Sequence, residues 1–126
     1  MSKNILVTGS GGIGGVNFVN ALKIAKREYI ISGTDFNKYY LELPNLDFKY
    51  RTPRHTDSKF LEKIKEIIDK DKIDFLHPSP HSEASVIAKE IDQINTATYL
   101  PRYDIIIRDK LQTQEILKRN DVPVAK

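Results

Sequence analysis

A strand-forming run that feeds straight into a glycine-rich loop and then into a helical pattern limits the folds open to this chain more than any other feature. Residues 4–15 read Asn-Ile-Leu-Val-Thr-Gly-Ser-Gly-Gly-Ile-Gly-Gly, with five glycines among the seven residues from Gly9 to Gly15. Ile5, Leu6 and Val7 suit a buried strand. Ile13, Val16, Val19 or Phe18, Leu22 and Ala25 then recur at helical spacing and form the expected buried stripe of a first helix. Glycine allows tight turns at positive φ and close approach to the main chain, and the unpaired N–H groups of a helix start face an anion. Two explanations of the glycines stand side by side: a loop that contacts a ligand, or a tight strand-to-helix turn with close helix–sheet packing.

The rest of the chain repeats the alternation. Tyr29–Asp35 is a second strand ending in an acid, and residues 36–46, without a clean period and containing Pro44, are expected to be mostly loop. Asp47–Arg51 alternates as a short third strand, closed by Pro53. Thr56 or Asp57 caps a helix that buries Phe60, Leu61, Ile64, Ile67 and Ile68 and turns a mixed Lys/Glu face to solvent. Ile73–His77 is a fourth strand, stopped by Pro78-Ser79-Pro80. A third helix carries Ala84, Ile87, Ala88, Ile91 and Ile94 inward, and Thr98–Leu100 is a fifth strand ended by Pro101. Tyr103–Ile107 fits either a helical turn or a strand. Asp109–Arg119 is a last long helix with Leu111, Ile116 and Leu117 inward, followed by an extended tail. Strands alternating with helices predict right-handed crossovers. The fold class is therefore α/β: a Rossmann-like, doubly wound parallel sheet of about five strands with helices on both faces. A chain of 126 residues fits one such domain.

Composition narrows the chemistry. With no cysteine, the chain has no disulfide, thiolate metal site or thiol nucleophile. No apolar run approaches the roughly 18 residues of a membrane span, and Met1-Ser2-Lys3 leads directly into the first strand without a signal-peptide pattern. A cytoplasmic protein with no membrane partner is expected. The net charge of +3 comes from charges of alternating sign, so no nucleic-acid partner is expected either.

In a doubly wound sheet, ligands bind outside the carboxyl ends of the strands, near the point where strand order reverses. Gly9 to Gly14 fits G-x-G-x-x-G, and Asp35 lies at the distance of a ribose-binding acid. Thr8-Gly9 with Gly12 and Gly15 also fits the spacing of extended short-chain dehydrogenases and sugar epimerases, so an NAD(P)-binding domain is one function expected of this chain. Against it, none of Tyr29, Tyr39, Tyr40, Tyr50, Tyr99 or Tyr103 has a lysine four residues later, the catalytic pair of that class. A second informative segment is His77-Pro78-Ser79-Pro80-His81-Ser82-Glu83. Glu83 falls in the first turn of the third helix, where the dipole stabilises an acid, and where a carboxylate also reaches the ligand crevice. His77 and His81 do not share a helix face and lack a third ligand, so no metal site is assigned. His55 with Lys49, Arg51 and Arg54 forms a basic cluster that is either solvated charge or an anion contact. Ser10, Asp35, Arg54 and His81 stand as further candidate ligand contacts.

Taken in order, Ile5-Leu6-Val7-Thr8-Gly9-Ser10-Gly11-Gly12, Gly33-Thr34-Asp35, and Asp74-Phe75-Leu76-His77-Pro78 with Glu83 resemble the N-terminal domain of ATP-grasp ligases, in particular proteins like the carbamoyl phosphate synthase large subunit. Arg108-Asp109-Lys110, the helix to Leu117, and Asn120-Asp121-Val122-Pro123-Val124 look like the junction into an ATP-grasp domain. The resemblance implies residues 1–121 as a Rossmann-like pre-ATP-grasp domain and residues 122–126 as the start of a linker. It implies an enzyme that uses ATP and Mg2+ to activate a carboxylate or bicarbonate as an acyl phosphate for attack by an amine. Gly11, Gly12, Ile13, Gly14 and Glu83 would contact a small-molecule substrate, and Lys110 would reach toward ATP phosphates. No catalytic residue is implied within these residues. The metal and most nucleotide contacts would come from an ATP-grasp domain in cis or on a separate chain, so the 126 residues alone are expected to be inactive. A homodimer is a further expected arrangement.

Overall fold

A computed structural model describes residues 2–125. Met1 and Lys126, the outer ends of the domain and linker spans inferred from sequence, lie outside the described residues. Five strands form one parallel sheet: β1 (Lys3–Thr8), β2 (Tyr29–Asp35), β3 (Phe48–Arg51), β4 (Phe75–Pro78) and β5 (Ala97–Thr98), in the order β3-β2-β1-β4-β5. The order runs outward from β1 to β3 and then reverses, which places the switch point between β1 and β4. Helices α1 (Ile13–Ile24), α2 (Lys59–Lys70), α3 (His81–Lys89), α4 (Tyr103–Ile106) and α5 (Lys110–Arg119) complete the chain.

Alternation along β1 divides the core. Ile5 and Val7 pack with Ile31 and with Val19 of α1 on one face. Leu6 points to the other face, against Phe60, Ile64 and Ile67 of α2 and Ile87 of α3. Each fully buried side chain of this size is worth about 1.5–3 kcal/mol, so the two faces hold the central strands from both sides. The register pairs Leu6 with Ser32 and Leu76, and Val7 with Gly33 and His77, which brings Thr8 and the end of β2 to the same edge.

Several boundaries differ from the sequence expectation. The fourth strand runs from Phe75 to Pro78 rather than Ile73–His77, because Asp74 N–H donates to Asn4 O before the regular ladder begins. The fifth is only Ala97–Thr98. The third helix ends at Lys89, and Ile91–Gln93 forms a separate 3-10 turn with Ile91 exposed. The expected loop before β3 contains a 3-10 turn, Tyr40–Glu42, that buries Leu41. Tyr103–Ile106 is helical. Two predicted stripes need correction. In α1 the middle of the stripe holds, with Val19 buried and Val16, Phe18 and Leu22 half-buried, but Ile13 is 85% exposed and Ala25 is exposed, and Gly15 is buried in the first turn. In α5, Leu111 is 65% exposed, Leu117 is also exposed and Ile116 is only half-buried, so this helix has no buried residue. The tail is not simply extended. Asp121 adopts φ +58, its N–H donates to Lys118 O, and Val122 N–H donates back to Leu117 O at 2.9 Å, a Schellman closure with aspartate in the place usually held by glycine.

Candidate functional site

The glycine loop is shaped largely by its own neighbours. Gly9 sits at φ +56, and a side chain there would collide with the ring of Pro80 from the loop after β4. Gly12 N–H closes the turn onto Gly9 O at 3.1 Å. Ser10 is fully buried, and its N–H and hydroxyl both donate to Thr34 O, at 2.9 and 3.2 Å, tying the loop to β2. Gly11 N–H donates to Asp35 Oδ2 at 3.2 Å, while Asp35 Oδ1 accepts from Asn37 N–H at 3.0 Å. Asp35, only 5% exposed, is thereby committed on both oxygens to the protein. A Cβ on Gly11 would strike Tyr40, whose 3-10 turn lies against the loop. Gly12 differs: a Cβ there meets nothing nearer than 3.5 Å.

Beside this loop lies a small group of buried oxygens. Thr8 ends β1, Thr34 follows Gly33 in β2, and Glu83 lies in the first turn of α3. Glu83 is 8% exposed, and Thr8 Oγ1, Thr34 Oγ1 and Glu83 Oε1 are buried without a hydrogen-bond partner. Burial disfavours the charged carboxylate of Glu83, the Thr8 hydroxyl opposes that and the negative charge of Asp35 adds to it, and together they raise its pKa from 4.5 to about 7. Buried polar atoms are almost always satisfied by protein, water or ligand, so each of these oxygens favours a hydrogen-bonding partner at this edge of the sheet.

The other candidate residues are scattered along the same edge or away from it. Ile13 and Gly14 open α1, whose N-cap Gly12 supplies no side-chain cap; a Cβ on Gly14 would lie 2.9 Å from Ser79 Oγ across the switch point. His81 is the exposed first residue of α3. His77 is held flat against Phe18, ring centroids 3.8 Å apart, and burial lowers its pKa. Arg54 stacks over Phe36 at 4.4 Å, on the far side of β2 from Glu83. Lys110 is the exposed first residue of α5, directly after the N-cap Asp109, whose Oδ1 accepts from Gln112 N–H at 2.7 Å in a capping box. Thr8, Thr34 and Tyr40 were not singled out from the sequence. Two threonines at the carboxyl ends of neighbouring parallel strands are the signal that would have found the first two.

No protein-family model matches the chain, and no curated protein matches its sequence. The fold is similar to solved structures of two different chemistries. UDP-D-quinovosamine 4-dehydrogenase from Vibrio fischeri superimposes over 85% of this chain and 84% of its own, with a TM-score of 0.52 and 19% identity. The biotin carboxylase subunit of pyruvate carboxylase superimposes over 100% of this chain, with a TM-score of 0.60 and 19% identity. This chain spans 29% of the length of that carboxylase. At this level of identity the likeness to both is one of fold.

Proposed function

We propose that this chain is the substrate-side domain of an ATP-dependent carboxylate–amine ligase of the ATP-grasp kind, like carbamoyl phosphate synthase in its chemistry. The observation that carries the proposal is Glu83: a carboxyl with an unpartnered oxygen, buried beside the glycine turn at the edge where a doubly wound sheet binds its ligand. Such a group accepts a hydrogen bond from an amine or hydroxyl, and a cationic partner would draw its pKa down from about 7 and leave it ionised. Gly11, Gly12, Ile13 and Gly14 would border the same substrate, and Lys110 would face the nucleotide. The whole-chain likeness to a biotin carboxylase, an ATP-grasp enzyme, adds support.

In the complete enzyme, phosphoryl transfer from ATP to a carboxylate or bicarbonate gives an acyl phosphate and ADP, and attack by the amine releases phosphate. Magnesium and most ATP contacts fall to an ATP-grasp domain, in cis or on a partner chain; among the described residues no group of three metal-ligating side chains comes together. The contribution of these residues is to hold the amine or hydroxyl end of the substrate, with Glu83 as acceptor.

The second function is an NAD(P)-binding domain, favoured by G-x-G-x-x-G and by the likeness to a dehydrogenase. The double commitment of Asp35 and the seat of Tyr40 on Gly11 weigh against it, since a ribose would need that carboxylate free. Two measurements separate the functions. Calorimetry with NAD and NADP should show no saturable binding, and micromolar affinity would sink the ligase proposal. The complete natural polypeptide with its partner chains, assayed for phosphate release from MgATP, should require bicarbonate or a small carboxylate. Glu83→Gln should then raise KM for the amine about tenfold or more, the worth of a hydrogen bond to a charged group.

A further inference from the structure

An open surface cleft lies on the same edge of the sheet, beyond Asp35. It has a volume of about 520 Å3 and is lined by Phe36, Arg51, Thr52, Pro53 and Arg54. Both arginines are held in place without a carboxylate. Arg51 Nε–H donates to Phe36 O at 3.1 Å, which leaves both Nη groups of its guanidinium unused. Arg54 lies over the ring of Phe36 at 4.4 Å from its centroid. Stacking of this kind fixes the guanidinium plane while its N–H edge stays available. Among the described residues no acid pairs with either arginine, whereas neighbouring Lys49 is neutralised by Glu42 at 2.7 Å. Of the carboxylates near in the fold, Asp35 accepts from the Gly11 and Asn37 amides and Asp57 from the Lys59 amide. Thr52 N–H donates to Asp35 O at 3.0 Å, so the floor of the cleft is joined to the strand end and cannot drift from it.

We infer that this cleft is an oxyanion subsite for the terminal phosphate of a small phosphomonoester. Two guanidinium groups, one anchored by a carbonyl and one by a ring, present forks that match a doubly charged phosphate. Both arginines are exposed, and the carbonyl and the ring each restrict one guanidinium, which reduces the rotamer entropy lost on binding. The inference stands on this cleft and is independent of the ligase proposal, because its test reads binding alone.

The test is a titration of the complete natural polypeptide with inorganic phosphate and with ribose 5-phosphate at low ionic strength, following the arginine Nε–H resonances by NMR. Saturable shifts at Arg51 and Arg54 are expected, weakening as salt is added. Arg54→Ala and Arg51→Ala should each weaken binding about tenfold or more, as loss of a charge-assisted hydrogen bond requires, while Lys49→Ala leaves it within about twofold. Sulfate competing at the same site supports an oxyanion subsite. Shifts that rise linearly without saturating overturn the inference, as does equal weakening by Lys49→Ala, which would mark diffuse surface charge. Unchanged amide spectra outside the cleft show that each variant is folded.

Discussion

Helices α2 and α5 begin from similar sequence patterns and end in opposite environments. Both are amphipathic, and both carry branched apolar residues at helical spacing. In α2, Phe60, Ile64 and Ile67 are sealed against Leu6 and Leu76 of the sheet. In α5, Leu111, Ile116 and Leu117 bury nothing completely, and the helix is held by its own ends, the Asp109 capping box and the Schellman closure at Asp121. The difference lies in connection. A helix between two parallel strands is drawn back onto the sheet by both of them, and α2 joins β3 to β4. Helix α5 follows β5 and the short α4, and none of its residues is fully buried. An apolar stripe therefore predicts a helix in both places, and predicts burial only where the topology provides a surface.

The largest expected effect tests the packed side of that contrast. Ile64→Ala should lose about 2–5 kcal/mol in urea denaturation, because a fully buried side chain leaves a cavity on the sheet. Leu111→Ala should stay within about 0.5 kcal/mol, as for other exposed sites; a loss like that of Ile64→Ala would show that α5 belongs to the core.

Glu83 gives the next effect, and its sign is fixed by the direction of the shift. Its folded pKa, about 7, is above its ordinary 4.5, so the folded state holds the proton more tightly than the unfolded chain. Stability from this group is complete below about pH 4.5, falls as pH rises toward about 7, and is level above that. The total loss is about 3 kcal/mol at 1.36 kcal/mol per pH unit. Glu83→Gln should flatten that part of the stability–pH profile measured by denaturation between pH 4 and 8. A slope that persists in the variant would place the titration elsewhere.

The two glycines give a finer contrast within one loop. Gly11→Ala should cost about 1–3 kcal/mol, since Tyr40 has to move. Gly12→Ala should cost about 1 kcal/mol or less, because its Cβ makes only an ordinary contact, 3.5 Å from Gly9 O, and only an N-cap preference is lost. Comparable thermal shifts for the two would mean that the 3-10 turn yields easily. Smallest in global terms, Asp109→Ala should remove about 1 kcal/mol from α5. Hydrogen exchange should speed up in Lys110–Arg119 and stay unchanged in β1, as expected for an element that opens on its own.

Much of this arrangement was legible in the residues. The run Ile5-Leu6-Val7, the glycine turn and the apolar stripes of α2 and α3 are local patterns with periods that backbone geometry imposes, and they sufficed for the class of fold and for most elements. Asp35 shows where local pattern stopped being enough. Its position after G-x-G-x-x-G suits a ribose, yet its carboxylate accepts from Gly11 and Asn37. Ile13 was misplaced because Gly15 is the residue of that first turn that packs inward, against Ser10, while Ile13 faces solvent.

What the sequence determined by itself is the parallel α/β alternation, the position of the tight turn at Gly9 and the candidacy of Glu83, because each follows from periodicity, φ preference or charge at a helix start. Only the tertiary structure decided which oxygens are left unpartnered, that Tyr40 covers Gly11, that Arg51 and Arg54 share one cleft, and that α5 stands apart from the core. Those outcomes depend on contacts between residues distant in the chain, and hydrogen-bond satisfaction and burial are properties of such contacts rather than of any one residue.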